Sequence, residues 1–441
     1  MNRILKYAVS ALLALVPGAV VAQQAPVADD NDESLRISPE LADMSESVSA
    51  VYSDYPWLNV GDNHIMLNGA DWSILGDKLN KIEHRPFRIV LIGDSHIQAD
   101  GATSVVRRTL HERYGSAGRG MITPLRMAGT NEPRDYSLTS SGCRWATARL
   151  LPSRGDRIML FTGVTVCPAD TVFDLNVRST ECDFSRIKLY YSGGMPELMA
   201  VYDSTGEEMA FDIESYDDGF VDILLESPVW ECLMCFTSAV DDEASVIGGL
   251  ELLGCDAGVE FSSIGNNGAT YGSYLGVGTG RGLACMESDL VILSLGTNDA
   301  WGSMSDDDFL LTVDRLVSEI KRENPSVKIL LTTPGEAQKA LRRSRRSKIY
   351  SPHKKIGHFR DLLLDYGRRN SLPVYDFYNV AGGERSSEHW VKAGLFSRDR
   401  IHLSWPGYSL MGQLMSDALI EQFENLKAET INISSEYGAR E

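Results

Sequence analysis

The residues in this chain that could do chemistry sit on short polar turns that follow apolar runs. The first is Ser95 in "RIVLIGDSHIQAD" (88–100), placed after an apolar run ending at Ile92 and Gly93-Asp94. A serine displayed at the end of a buried strand can attack a carbonyl carbon. It needs a base to take its proton, a group to orient that base, and N–H donors for the oxyanion. The same serine could equally cap the helix that follows. The base and its orienter appear far along the chain as Asp399-Arg400-Ile401-His402. An aspartate three residues before a histidine can accept its Nδ1–H and leave Nε2 free. Between these lie Gly265-Asn266-Asn267-Gly268, a turn rich in backbone N–H groups, and Gly296-Thr297-Asn298-Asp299, which offers a side-chain amide. His96 beside the serine reads as a wall residue and Asp94 as a turn-forming one.

Positioning groups so scattered requires a scaffold whose segment ends converge. From about residue 75 the pattern is α/β. Buried strands are expected at Arg88–Ile92, 289–299, 326–335 and 372–378. Helices between them show Val106, Leu110 and Tyr114, then Phe309, Val313, Leu316, Val317 and Ile320, then Ile356, Phe359, Leu363 and Tyr366 at helical spacing. Ser404 and Pro406 open a last helix. Alternating strands and helices imply a parallel sheet covered on both faces, with loops meeting at the strands' carboxyl ends. Between 131 and 256 the pattern becomes short β-type runs separated by Gly, Ser and Asp, as in a β-sandwich. An all-β module is therefore inserted into the α/β domain.

The four turns in this order resemble the blocks of the SGNH (GDSL-type) hydrolases: Gly93-Asp94-Ser95, Gly268, Gly296-Thr297-Asn298-Asp299 and Asp399-Arg400-Ile401-His402. The resemblance covers about 85–127 and 257–425. It implies a flavodoxin-like three-layer α/β fold with a parallel sheet, Ser95 as nucleophile, His402 as base and Asp399 as its orienter. The oxyanion hole would comprise the N–H groups of Ser95 and Gly268 and the amide of Asn298. The GxSxG elbow of α/β-hydrolases is a different arrangement, because Ile97 stands where that elbow has glycine. "GDSHIQADGATSVVRRTLHERYGSAGRG" (93–120), the β-rich insertion and the return through "IGNNGATY" are similar to the peptidoglycan O-acetylesterases. Those exported bacterial enzymes carry a carbohydrate-binding-like, jelly-roll-like sandwich in this place. The resemblance implies an acylated carbohydrate as substrate and no metal or organic cofactor. Trp301, Tyr271 and Trp390 lie near the blocks and could stack on a sugar ring or simply pack in the core. A lipid or aryl esterase, an acyltransferase, and a glycan-binding protein with an idle hydrolase domain are the alternatives.

The remaining sequence bounds location and partners. Residues 1–22 read as an export signal: Arg3 and Lys6 precede an apolar run, and Val20-Val21-Ala22 offers a cleavage site. The expected destination is the periplasm or the exterior, with no membrane span once the signal is removed. Residues 23–55 read as an acidic tether, 56–130 and 257–428 as the two parts of the hydrolase domain, and 429–441 as a tail. Losing Arg3 and Lys6 takes the net charge from −19 to −21, which repels phosphate backbones and disfavours nucleic acid as a partner. The seven cysteines form no disulfide framework by spacing, and Cys232-Leu-Met-Cys235 stands without a second pair. Buried thiols or one or two bridges are expected. The basic run "KALRRSRRSK" (339–348) reads as a surface loop, or as an attractor of anionic glycan. Nothing in the sequence speaks to oligomeric state.

Overall fold

The computed structural model describes residues 52–438 except 152–156, 218, 239–243 and 344–347, so the export signal and most of the acidic stretch lie outside the described residues. The α/β part begins with β1 (Ile65–Met66), α1 (Ser73–Leu79), β2 (Pro86–Gly93), α2 (Ser95–Gln98), α3 (Thr103–Tyr114) and β3 (Ser116–Gly118). After the insertion it resumes with β4 (Gly258–Gly265), α4 (Thr279–Cys285), β5 (Leu290–Ser294), α5 (Thr297–Trp301) and α6 (Asp306–Glu323). It ends with β6 (Lys328–Thr332), α7 (Lys354–Arg369), β7 (Val374–Tyr375), α8 (Phe377–Val380), α9 (Ser386–Lys392) and α10 (Trp405–Gly438).

The seven strands form one sheet in the order β1-β7-β6-β5-β2-β4-β3. All neighbours are parallel except β1, which runs antiparallel to β7. The strand period of two divides the central strands between two apolar layers. Ile89 and Leu91 of β2 pack with residues of α3 and α10, while Val90 and Ile92 pack with α6 and α7. Helix α6 shows why its segment is helical. Ser305 caps it by accepting the Asp308 N–H, and Asp306, Asp307 and Asp308 fill the first turn, where the helix dipole favours negative charge. Its buried face is the expected one: Phe309, Val313, Leu316, Val317 and Ile320.

The insertion is two antiparallel sheets of β-strands packed face to face. One is built on Pro196–Asp203, Glu231–Ser238 and Val172–Ser179, the other on Phe220–Val229, Phe184–Ser192 and Val246–Leu253. Inward residues of both, among them Leu175, Phe236, Ile187 and Leu250, form one apolar cluster. Cys232 and Cys235 are buried on one of these strands as thiols. Gly120–Ile122, ahead of residue 131, already pairs with Val246–Leu253. The α/β part also begins ahead of residue 56, since Tyr52 and Tyr55 pack on its core and the Tyr52 hydroxyl bonds Asp417. A further hairpin, Gln338–Arg343 with Lys348–Pro352, was not expected from the loop-like basic composition.

Charged groups are buried where the insertion joins the α/β part. Arg107 of α3 is fully buried and pairs with Asp100, with Asp135 at 2.9 Å and with Glu181 at 2.7 Å. Glu251 of the sandwich and Glu260 of β4 are both fully buried. Tyr190 donates to Glu251 at 2.9 Å, Ser262 donates to Glu260 at 2.8 Å, and Arg88 lies 3.3 Å from Glu260. Burial, and then the neighbouring Glu260, hold the Glu251 carboxyl well above the usual range, against the pull of Lys188 and Arg88. Such a group binds its proton more tightly folded than unfolded, so its own contribution to stability is greatest in acid and is lost as pH rises past the ordinary glutamate value. Urea unfolding at a series of pH values from about 5 to 8 tests this. The stability of wild type should fall more steeply with pH than that of Glu251→Gln; parallel slopes would show that Glu251 is already ionised.

Candidate active site

Parallel strands of one sheet end along one edge, and the register fixes which ends meet. Gly93 of β2 pairs with Gly265 of β4 on one side and with Ser294 of β5 on the other. The three turns that follow these strands therefore open side by side. Ser95 is the first residue of α2, so its N–H has no partner within that helix. Asp94 caps the helix by accepting the His96 N–H at 2.9 Å. Gly268 has φ +77°, the left-handed region that favours glycine, and its turn closes with Ala269 N–H donating to Asn266 O at 3.0 Å.

His402 arrives from the loop before α10 rather than from a strand end. Its Nε2 lies 2.8 Å from Ser95 Oγ, and its Nδ1 lies 2.6 Å from Asp399 Oδ2. The second carboxylate oxygen of Asp399 accepts the N–H of Ile401 at 2.8 Å and of His402 at 2.9 Å, and the Ser397 hydroxyl at 2.8 Å. Burial pushes the Asp399 carboxyl upward, but the His402 bond and these donors outweigh it and hold the group well below the usual range. Arg400, with φ +65°, forms the turn between the two residues. The hairpin Gln338–Pro352 buttresses that turn. Gln338 N–H donates to Arg400 O at 2.8 Å, and the Arg400 guanidinium covers the Tyr350 ring at 5.4 Å. Sequence reading missed this support because the basic run looked like a solvated loop.

This arrangement is a hydrogen-bonded chain from an ionised carboxylate through an imidazole to a serine hydroxyl. It can deprotonate Ser95 as that oxygen attacks an acyl carbon. Residues 251–410 match the model of the GDSL-like lipase/acylhydrolase family, a span that takes in Gly268, Asn298, Asp399 and His402. The second part of the α/β unit thus carries a GDSL-like lipase/acylhydrolase family segment. The chemistry it houses is that of a carboxylic ester hydrolase. The match leaves out Ser95, which precedes the insertion in the chain and joins the others only in three dimensions. Among solved structures, a peptidoglycan O-acetylesterase is 20% identical, covering 82% of this chain and 99% of its own, with a TM-score of 0.66. A lipase/acylhydrolase from Enterococcus faecalis is 22% identical, covering 37% of this chain and 77% of its own, with a TM-score of 0.29. A putative acylhydrolase from Bacteroides fragilis is also 22% identical, covering 37% of this chain and 76% of its own, with a TM-score of 0.30. No curated protein sequence matches the chain.

Other expected residues fare differently in the acylhydrolase domain. Asn298 lies beside the site, but its Nδ2 donates to Asp94 Oδ2 at 3.2 Å and to Ala269 O at 3.0 Å. An oxyanion would have to share a hydrogen with Asp94, the longer of the two bonds. Tyr271 is not a sugar platform: it is fully buried with its ring edge against Phe309. Trp390 is likewise a core residue, 2% exposed, with its Nε1 donating to Ala381 O at 2.8 Å. Both fall on apolar faces that had to be covered, which proximity in sequence to the blocks does not reveal. Trp301 is 38% exposed and packs edge-on against His353, so part of its ring faces solvent. His96 packs 5.4 Å from the His402 ring and its Nδ1 bonds the Tyr408 hydroxyl at 3.1 Å. Burial, and then His402, push its pKa down to about 3, so it stays neutral beside the base.

Asp399→Asn tests the chain directly. An amide keeps the size and an acceptor for the loop N–H groups, but its NH₂ cannot accept the imidazole proton, so the wrong tautomer is favoured. Ester turnover should fall by on the order of 10³–10⁴ with the thermal midpoint little changed. A loss under tenfold would remove Asp399 from the chemistry.

Proposed function

We propose that the protein is an exported serine esterase that removes acyl groups, most simply acetyl, from a carbohydrate such as peptidoglycan or another polysaccharide. The observation that carries the reading is the unbroken Asp399–His402–Ser95 hydrogen-bond chain in an acylhydrolase domain. Two features support the carbohydrate. The likeness to a peptidoglycan O-acetylesterase spans 82% of this chain, too much to be the α/β part alone. Trp301 also offers an exposed ring at the end of α5, three residues past Asn298. Export is supported by the basic start and apolar run of residues 1–22. No helix among the described residues is long and apolar enough to cross a membrane.

In this reading Ser95 Oγ attacks the ester carbonyl while His402 Nε2 takes its proton. Negative charge builds on the carbonyl oxygen, where the N–H groups of Ser95 and Gly268 and the Asn298 amide receive it. The tetrahedral intermediate collapses to an acyl-enzyme, and the departing sugar oxygen takes the proton from His402. Water then attacks the acyl carbon, losing a proton to the same imidazole, and the acid leaves Ser95 with its hydrogen restored. Asp399 stays ionised throughout, fixing the tautomer and stabilising the imidazolium that forms twice per cycle.

Purified chain lacking residues 1–22, and its Ser95→Ala variant, would be assayed on p-nitrophenyl acetate, a long-chain ester, acetylated xylan and O-acetylated peptidoglycan. Wild type should release acetate from a glycan at least about 10³-fold faster than the variant. Equal, slow release by both would end the esterase reading. A preference for the long-chain ester would redirect it to lipids. Transfer of the acyl group to a second sugar would make it an acyltransferase, and glycan binding without turnover would leave an idle domain.

A further inference from the structure

The turn that presents Gly268 is gripped from the inserted sandwich. Its first asparagine, Asn266, is 4% exposed, and its Nδ2 donates at 3.0 Å both to Thr162 O and to the Tyr274 hydroxyl. Thr162 leads into the sandwich strand Val164–Pro168. Beside it, Gly163 has φ +77° and lies so close that a Cβ there would stand 2.3 Å from Asn266 Nδ2. The second asparagine, Asn267, donates its backbone N–H to Gln98 Oε1 at 2.7 Å and its Nδ2 to Asn131 Oδ1 at 2.9 Å.

Gln98 closes the circuit. It stands three residues after Ser95 on α2 and is 4% exposed. Its Nε2 donates to Asn131 Oδ1 at 2.7 Å, to Asn131 O at 2.9 Å and to Thr130 Oγ1 at 3.0 Å. Thr130 and Asn131 lie between the sandwich strands Gly120–Ile122 and Tyr136–Thr139. One amide therefore ties together the helix of the nucleophile, the turn of the oxyanion donor and the insertion. Leu151, also of the insertion, stands close to Gly268: a Cβ on that glycine would be 3.3 Å from Leu151 Cδ1.

An N–H donor stabilises an oxyanion only if it is held within roughly half an ångström of its productive place. Gly268 lies in an exposed stretch with the backbone freedom of glycine, so something else must hold the turn. We propose that Gln98 and Asn131 are positioning residues for the Gly268 oxyanion turn, so that the inserted sandwich is a working part of the esterase site. The inference rests on the esterase reading given above. It assigns the sandwich a role in turnover that is separate from any contact with glycan.

Variants of the otherwise unchanged chain lacking residues 1–22 test it with p-nitrophenyl acetate, a substrate too small to need a glycan site. Gln98→Ala should lower kcat by about 10- to 100-fold, part of the 10²–10³ expected for losing an oxyanion donor outright, while KM stays within about twofold. Asn131→Ala leaves the Gln98 bond to Asn267 and should lower kcat by about three- to tenfold. Gln98→Glu keeps an acceptor for the Asn267 N–H but loses the donor to Thr130 and Asn131, so kcat should stay as low as in Gln98→Ala; wild-type kcat in Gln98→Glu would show that the tie to the insertion does not matter and overturn the inference. Unfolding midpoints are measured alongside. Wild-type kcat in both alanine variants, or a loss seen only in KM, overturns the inference while leaving the esterase reading intact. Should Gln98→Ala fail to fold, the exposed Asn131→Ala decides by the same criterion. A wild type that hydrolyses no ester fails the esterase reading itself and this inference with it.

Discussion

The pairing of Gly93 with both Gly265 and Ser294 is the constraint on which the site depends. Hydrogen bonding in a parallel sheet fixes the relative height of neighbouring strands, so three chain segments must leave the sheet at one level. Ser95, Gly268 and Asn298 each follow within four residues of that level. None of the three strands can slip by one residue without sending its side chains to the opposite face of the sheet. Only the Asp399–His402 loop is free of this rule, and it is held by other means: its own Asp399 carboxylate, the Gln338–Pro352 hairpin and the start of α10.

Around this framework, one residue type is given different proton affinities by its surroundings. Asp399 accepts hydrogen bonds from four groups and stays ionised. Asp94 is 1% exposed, and burial lifts its pKa to about 7, opposed by the His96 N–H and by His402. Burial similarly lifts Asp299 to about 6, against the Tyr271 N–H. His96 stays neutral, and the carboxylate aligned with Nδ1 is that of Asp399. That is the charge a developing imidazolium requires.

Much of this was legible in the sequence, for reasons that differ by element. Helix α6 and strands β2 and β5 announce themselves because their apolar spacing has one physical cause, burial on one face or on two. The Asp399–His402 spacing is similarly local, since three residues suffice to bring carboxylate to imidazole. Long-range support was not legible. Gln98 looks like any polar helix residue until Asn131 and Asn267 are seen on either side of it. Trp390 and Tyr271 stay open between ligand platform and core residue because an aromatic side chain reads the same from sequence whether it faces solvent or the core. The Gln338–Pro352 hairpin was hidden by its basic composition, which describes its solvent side and not its partner.

The two ends of the insertion are bound to each other: Leu250 pairs with Ile122 and Leu252 with Gly120. This has a consequence for the order in which the chain can fold. Strands β2 and β4 are neighbours in the sheet but are separated in sequence by the whole sandwich, and joining them through an unfolded loop would carry a loop-closure cost. A sandwich that folds first brings its own ends together and delivers β4 to the edge of β2. The insertion then behaves as a short, stiff connector, and the large sequence separation between Ser95 and His402 ceases to measure how hard the site is to assemble.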